Sequence, residues 1–295
     1  MDFTTKLSAW VRRVETGLDR HLPLASTRPS RLHTAMRYSL ESGGKRIRPV
    51  LVLAGAELFD PAGRRDPLPA AVAIECLHTY SLIHDDLPCM DNDALRRGRP
   101  TVHRAFDEAT ALLAGDALLT HALGLLVSSY AAEPEMAVPL AAEMADAAGS
   151  CRLIGGQVED LAAEKRTDVS GADLEFIHLN KTAALIELAL SMGARLGGAS
   201  EDERRVLVGV GRDLGLAFQI VDDVLDATAD SLTLGKTAGK DAKAGKTTYV
   251  SLYGIEEARR RADAHSRAAI DGLRGLRGDT AFLVALVGAL TVRTK

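Results

Sequence analysis

Two aspartate clusters carry the clearest chemical signal in this 295-residue sequence. The first is Tyr80-Ser-Leu-Ile-His-Asp85-Asp86-Leu-Pro-Cys-Met-Asp91-Asn-Asp93, and the second is Phe218-Gln219-Ile-Val-Asp222-Asp223-Val-Leu-Asp226. Each lies on a helical pattern that is apolar around most of its circumference. Such a helix is buried, and aspartate is almost never buried without a partner. Glu75, His78, Leu82 and Asp85 are three or four residues apart and share one stripe, as do Gln219, Asp222 or Asp223, and Asp226. Carboxylates gathered in this way repel one another unless cations sit among them. Hard divalent ions suit an all-oxygen donor set, and magnesium commonly shares its site with substrate phosphates. On a straight helix Asp91 would stand about 240° round the axis from Asp85. Pro88 ends or kinks the helix near Leu87, and the chain is then expected to bring Asp91 back beside Asp85.

Three basic patches complement the acids. Gly43-Gly44-Lys45-Arg46-Ile-Arg48-Pro49 sets glycines and three cations at a helix start, and Arg96-Arg97-Gly98-Arg99 follows the first acidic cluster. Lys236, Lys240 and Lys246, each preceded by glycine, follow the second. Arginine forks and exposed glycine backbone both suit diphosphate oxygens. Any one patch alone would be ordinary loop charge. Acid paired with base in both halves of the chain points to metal ions plus anionic phosphate groups. A nucleotide-binding P-loop is excluded, because five residues, not four, separate Gly239 from Gly245, and no strand precedes them.

These residues need a rigid frame, and the composition indicates a helical one. Aromatics are 4% of the chain, charged residues 26% and apolar residues 46%, with alanine and leucine dominant. Residues 109–130, 139–153, 174–196 and 203–225 recur apolar at helical steps, with no proline inside. Pro49 before Val50-Leu-Val-Leu favours a helix start over a buried strand. Breaks are expected at 22–29, 60–69, 88–100, 133–134, 197–201 and 230–248, where glycine, proline or mixed charge collects. No fixed repeat and no strand–helix alternation is present, so residues 1–295 are expected to form one all-α domain. The net charge of −4 argues against a nucleic-acid partner. Cys76, Cys89 and Cys151 form neither a disulfide framework nor a zinc spacing, which fits a reducing compartment. The sequence starts without a signal-peptide pattern and has no uninterrupted run of about 18 apolar residues, so a cytoplasmic protein without a membrane span is expected.

GGKRIRP, LIHDDLPCMDNDALRRGRPTVH, GGQVEDL, NKTAALI, FQIVDDVLD and GKDAKAGKT, in this order, resemble the motif set of the trans-prenyltransferases, or polyprenyl diphosphate synthases. The resemblance covers roughly residues 40 to 255. It implies the isoprenoid synthase fold, with long helices around a deep cavity, assembled as a homodimer. The implied reaction joins isopentenyl diphosphate to an allylic diphosphate. By analogy, Asp85, Asp91 and Asp222 hold magnesium, three ions per active site, with Asp86, Asp223 and Asp226 assisting. Arg96, Lys181, Lys236 and Lys246 would contact the allylic diphosphate, and Lys45, Arg48, His78 and Arg97 isopentenyl diphosphate. Thr182 and Gln219 would line the carbocation region. Many relatives have aspartate where this chain has Ala94. A second DDxxD favours chain elongation over cyclisation. Tyr80, with small Ser81 beside it, stands five residues before Asp85, and the first motif is two residues longer, both as in the bacterial farnesyl type, so a C15 product is expected. The alternatives are a geranylgeranyl diphosphate synthase and, from another class, a non-catalytic helical subunit of a heteromeric synthase.

Overall fold

The computed structural model describes residues 2–228 and 246–291. Its described residues are helical almost throughout, as composition and periodicity require, and they form two compact units.

The first unit comprises Met1–Leu53 and Arg65–Met144. Its helices are Phe3–His21 (α1), Ser30–Leu40 (α2), the start of Ile47–Phe59 (α3), Leu68–Asp85 (α4), Val102–Ala105 (α5), Glu108–Ser129 (α6) and most of Pro134–Ala148 (α7). Helix α4 is the axis of this unit and packs on α1, α2 and α6. Its residues from Pro69 to Ser81 are buried, except for half-buried His78. Carboxylates Asp2 and Asp107 cap α1 and α6, accepting from Thr5 N at 3.0 Å and Thr110 N at 2.7 Å. Pro49 falls in the first turn of α3, as expected. Helix α6 is long and apolar enough to cross a membrane by length and composition. Yet Ala111, Ala114, Leu118, Ala122, Leu125 and Leu126 are buried, which makes α6 a core helix with a second, outward apolar face. Leu112, Leu113 and Val127 are exposed on that face.

The second unit comprises Ala54–Arg64 and Ala145–Lys295. It contains Leu153–Ala163 (α8), Gly171–Ile177 (α9), a π-helical turn at His178–Ala183, Ala184–Leu196 (α10), Glu201–Thr228 (α11), Tyr249–Tyr253 (α12), Ile255–Arg274 (α13) and Ala281–Thr291 (α14). Helix α11 is its axis and packs on α10, α13 and the π-helical turn. Leu174, Ile220, Val221, Val224, Tyr249 and Ala258 make one apolar cluster around it.

Three local expectations are corrected. The helix expected over 174–196 is interrupted by the π-helical turn, whose wider hydrogen-bonded loops leave no mark in apolar periodicity. The helix expected over 139–153 begins at Pro134 and ends at Ala148, with Leu153 starting the next. Pro139 sits inside it and forfeits one backbone hydrogen bond, while Met136, Leu140 and Met144 form a buried stripe at i, i+4, i+8. A two-stranded hairpin, Leu95–Arg96 (β1) with Arg99–Pro100 (β2), lies in the expected loop 88–100. Its two turn residues, Arg97 and Gly98, have φ of +53° and +75°, the pattern of a type I′ turn. An arginine replaces the usual Asn or Asp there, so the turn signal was hidden.

The contact of α11 with the π-helical turn depends on Gly215, where an added Cβ would come within 2.6 Å of Ala183 Cα. Backbone on that side cannot yield as a flexible side chain would. Gly215→Ala is therefore expected to destabilise the protein by about 1–3 kcal/mol through overpacking. Chemical denaturation would register this as a lower midpoint, and an unchanged midpoint would show that the two elements can separate without cost.

Candidate active site

In the first unit, α4 delivers Asp85 in its last turn, with Asp86 as C-cap. Leu87 N donates to His84 O at 3.1 Å, after which Pro88 stops the helix. The chain then doubles back until Asp91 N donates to the Asp85 carbonyl at 2.8 Å. Asn92 adopts φ of +51° in the same turn. Sequence reasoning anticipated this return of Asp91 to Asp85.

The hairpin places its two arginines differently. Arg96 forks onto Asp86, with Nε donating to Oδ1 at 2.8 Å and Oδ2 at 3.0 Å and a terminal nitrogen 2.6 Å from Oδ1. Asp93 lies 3.7 Å from the same guanidinium. Burial pushes the Asp86 carboxyl up and Arg96 pulls it back, yet it stays above its usual value, with Asp93 and Asp85 adding to the rise. Burial would lower Arg96, and these carboxylates outweigh it and hold the guanidinium above its ordinary range. Arg96 thus neutralises Asp86 in this structure. Arg97 instead leans over the glycine loop, donating to Gly43 O and resting on Gly44.

Arg48, His78 and Arg97 form an electropositive group. A terminal nitrogen of Arg48 donates to His78 Nε2 at 3.3 Å. Arg48 Nε is buried with no hydrogen-bond partner. Burial lowers Arg48 to about 10, with Glu75 opposing and Arg97 adding to the drop. Burial likewise lowers Arg97, and both burial and the surrounding arginines push His78 well below the usual imidazole range, so it is neutral. Cations that destabilise one another in a half-buried place await an anion. Lys45 is exposed on the adjoining loop. Glu75, on the acidic stripe of α4, is taken by Arg46 at 2.7 Å. Tyr80 is buried edge-on against His84, with ring centroids 5.4 Å apart, and its hydroxyl has no hydrogen-bond partner. Burial pushes its phenol up to about 12, with Asp85 and Asp116 contributing. Ser81 donates back to His78 O at 2.8 Å and is buried beside it.

In the second unit, α11 carries Gln219, Asp222, Asp223 and Asp226. Asp222 and Asp226 are half-buried, one turn apart. Asp223 is buried and has a structural task, since its Oδ2 accepts from Tyr249 N at 2.9 Å and anchors the start of α12. Thr182 Oγ1 donates to Gln219 Oε1 at 3.1 Å, which turns the Gln219 amide nitrogen towards Asp223 Oδ1 at 3.5 Å. The π-helical turn presents Lys181, whose Nζ donates to Asp160 Oδ2 at 2.6 Å. Lys246 Nζ is 3.7 Å from the same oxygen and 2.7 Å from Glu164. Burial would raise Asp160, but Lys181 and Lys246 dominate and hold its carboxyl below the usual range. Lys236 lies outside the described residues.

Sequence reasoning missed Asp160 and Glu164 as lysine partners, Arg46 as the partner of Glu75, and the Tyr249 backbone. Only GGQVEDL, which contains Asp160, hinted at any of them. Among the described residues no three His, Cys, Asp or Glu side chains converge closely enough to chelate a metal unaided. The acidic donors are all carboxylate oxygens, which fits magnesium completed by waters and phosphate.

The comparisons agree with this chemistry. A family model for polyprenyl synthetase matches residues 29–274. The chain is 47% identical over 298 residues to the chloroplastic large subunit 1 of a heterodimeric geranylgeranyl pyrophosphate synthase from Arabidopsis thaliana, covering 99% of this chain and 80% of that one. It is 47% identical over 267 residues to a chloroplastic geranylgeranyl pyrophosphate synthase from Capsicum annuum, covering 90% and 72%. Among solved structures, an FPP/GFPP synthase from Zymomonas mobilis superposes with a TM-score of 0.84 at 38% identity, covering 97% of both chains. A geranyltransferase from Legionella pneumophila gives 0.85 at 32% identity, covering 98% of this chain and 96% of that one. The chain belongs to the polyprenyl synthetase family. It is a short-chain prenyltransferase of isoprenoid biosynthesis, with the all-α isoprenoid synthase fold.

Asp160 ties two lysines to one carboxylate. Asp160→Asn is expected to weaken binding of inorganic diphosphate with magnesium by about tenfold, equivalent to about 1.4 kcal/mol. Titration calorimetry measures it, and wild-type affinity would mean that Lys181 and Lys246 are placed without Asp160.

Proposed function

We propose that this protein makes geranylgeranyl diphosphate by adding isopentenyl diphosphate successively to allylic diphosphates. The observation that supports the transferase reading most directly is the anion-seeking group of Arg48, His78 and Arg97, with the unpartnered Arg48 Nε at its centre. The C20 product is supported by relatives at 47% identity that bear the geranylgeranyl name. It replaces the C15 product expected from Tyr80 together with the two-residue-longer first aspartate motif.

In this reading Lys45, Arg48 and Arg97 hold the diphosphate of isopentenyl diphosphate, with neutral His78 accepting from Arg48. The family uses magnesium, and Asp85, Asp91 and Asp222 would hold it. The bound metal stabilises charge on the departing diphosphate. Lys181 and Lys246, oriented by Asp160 and Glu164, contact oxygens of the allylic diphosphate, and Lys236 is assigned to the same diphosphate. The allylic carbon–oxygen bond breaks and diphosphate leaves with the electron pair. The isopentenyl double bond attacks the resulting allylic cation. A proton then passes to the released diphosphate, which restores a neutral hydrocarbon chain. Gln219, oriented by Thr182, turns its amide dipole to the cation, and apolar walls exclude water.

Asp85→Ala or Asp222→Ala is expected to reduce turnover by several orders of magnitude with the helical circular-dichroism signal intact. Activity near wild type in either variant, or after magnesium chelation, would refute the metal-dependent reading. No turnover by the wild-type protein supplied with both substrates and magnesium would instead favour a non-catalytic subunit. Reversed-phase chromatography of the dephosphorylated products should give a C20 alcohol as the main species, and a C15 alcohol would overturn the product assignment. Tyr80 and Ser81 are assigned to the level where the growing tail stops, so Tyr80→Ala should lengthen the product beyond C20. An unchanged profile would show Tyr80 to be a packing residue against His84.

Leu112, Leu113 and Val127 on the outward face of α6 are assigned to a homodimer contact. Leu113→Glu with Val127→Glu should convert a dimer to a monomer in light scattering. Dimers of the double variant would exclude this face.

A further inference from the structure

The family motif Gly43-Gly44-Lys45-Arg46-Ile-Arg48 presents two cations to the diphosphate of isopentenyl diphosphate, but Arg46 between them faces the other way. Its side chain is fully buried. Nε donates to Glu15 on α1 at 2.7 Å, one terminal nitrogen donates to Glu75 on α4 at 2.7 Å, and the other donates to the Leu40 carbonyl at the end of α2 at 2.5 Å. One guanidinium therefore joins three helices through all of its nitrogens. The backbone it pins is unusual, for Gly43, Gly44 and Arg46 have φ of +83°, +139° and +49°. A non-glycine residue seldom adopts that region, and the buried fork over-determines the conformation. Burial would lower the Arg46 guanidinium, but Glu15 and Glu75 outweigh it and hold it above its ordinary value. From the opposite side Arg97 closes on the same loop, and a Cβ at Gly44 would meet its Cζ at 2.7 Å. The loop is thus held between two arginines, one structural and buried, one exposed and able to reach a ligand.

We propose that Arg46 is the positioning residue of the isopentenyl diphosphate site: through its fork onto Glu15, Glu75 and the Leu40 carbonyl it sets the Gly43–Arg46 loop so that Lys45, Arg48 and Arg97 converge on one diphosphate. The proposal rests on the transferase reading above. Arg46 does not touch substrate. It acts by fixing the backbone from which Lys45 and Arg48 project and the carbonyl of Gly43 that receives Arg97.

The test must separate positioning from fold stability. Removing Arg46 alone strands Glu75 in the core, whereas replacing both partners with apolar residues of similar volume leaves no buried charge unpaired. Glu15 is 44% exposed and can be solvated. The double variant Arg46→Met, Glu75→Leu is therefore compared with wild type in steady-state kinetics, with thermal unfolding recorded in parallel. The expected result is a KM for isopentenyl diphosphate raised tenfold or more, with the KM for the allylic diphosphate within twofold. A folded double variant with wild-type KM for both substrates would overturn the proposal, as would an equal rise in both. Should the double variant fail to fold, Arg46→Lys is read by the same criteria, since it keeps the charge but cannot reproduce the three-way fork. Arg97→Ala is measured alongside. If it leaves the isopentenyl KM unchanged, the transferase site itself is misassigned. If it raises that KM while the Arg46 variants do not, only the positioning role fails.

Discussion

Charge placed on or beside buried helices has to be matched, and this constraint organises both units. Asp86 caps the apolar helix α4 and is met by the Arg96 fork. Glu75 lies about three turns earlier on the same helix and is met by Arg46. Asp160 receives Lys181 and stands within reach of Lys246, and Asp223 receives the Tyr249 amide. Removing one member of a buried ion pair typically costs about 3–5 kcal/mol, because the other is left uncompensated. Each match therefore ties a loop or a neighbouring helix to the acid. The exceptions are instructive. Arg48 and Arg97 have cationic neighbours and too little negative charge nearby, and that local imbalance marks where a substrate anion can be stabilised.

Irregular backbone does the positioning. The stop at Pro88 returns Asp91 to the Asp85 carbonyl, the I′ hairpin splits Arg96 from Arg97, and the π-helical turn delivers Lys181 and Thr182 to different partners. In each case a regular helix or strand would have spread these groups over wrong faces. Candidate side chains such as Asp91, Arg96, Arg97 and Lys181 are carried at the ends and interruptions of helices, while the uninterrupted lengths of α4 and α11 supply rigidity through burial and carry His78, Gln219 and Asp222.

Product length illustrates the limit of reasoning from one short motif. Tyr80 and the two-residue-longer first motif suggested C15, yet relatives at 47% identity along nearly the whole chain are geranylgeranyl synthases. Tail length is set by every side chain lining the path of the growing chain. One aromatic residue sets the stopping level only together with the rest of that lining, and the Tyr80 ring is held edge-on to His84 of its own helix.

Spacing along the chain was enough to give the helical class, the two acidic motifs, the Pro88 return and the basic patches that flank the acids. All of these depend on spacing along one helix or one turn, where periodicity of 3.6 residues and the missing N–H of proline act locally. The sequence left open whether Asp222 or Asp223 points with Gln219, and in the tertiary structure Asp223 takes the Gln219 amide on one oxygen and the amide of Tyr249, 26 residues away, on the other. It gave Arg96 no protein partner, and the folded hairpin seats it on Asp86. It saw Arg46 only as one more cation, because Glu15 and Glu75 lie 31 and 29 residues distant. The π-helical turn was likewise invisible, since the fit of α11 against it is a property of packing between helices. Which charge finds which partner is decided by proximity in space, and spacing along the chain carries no record of it.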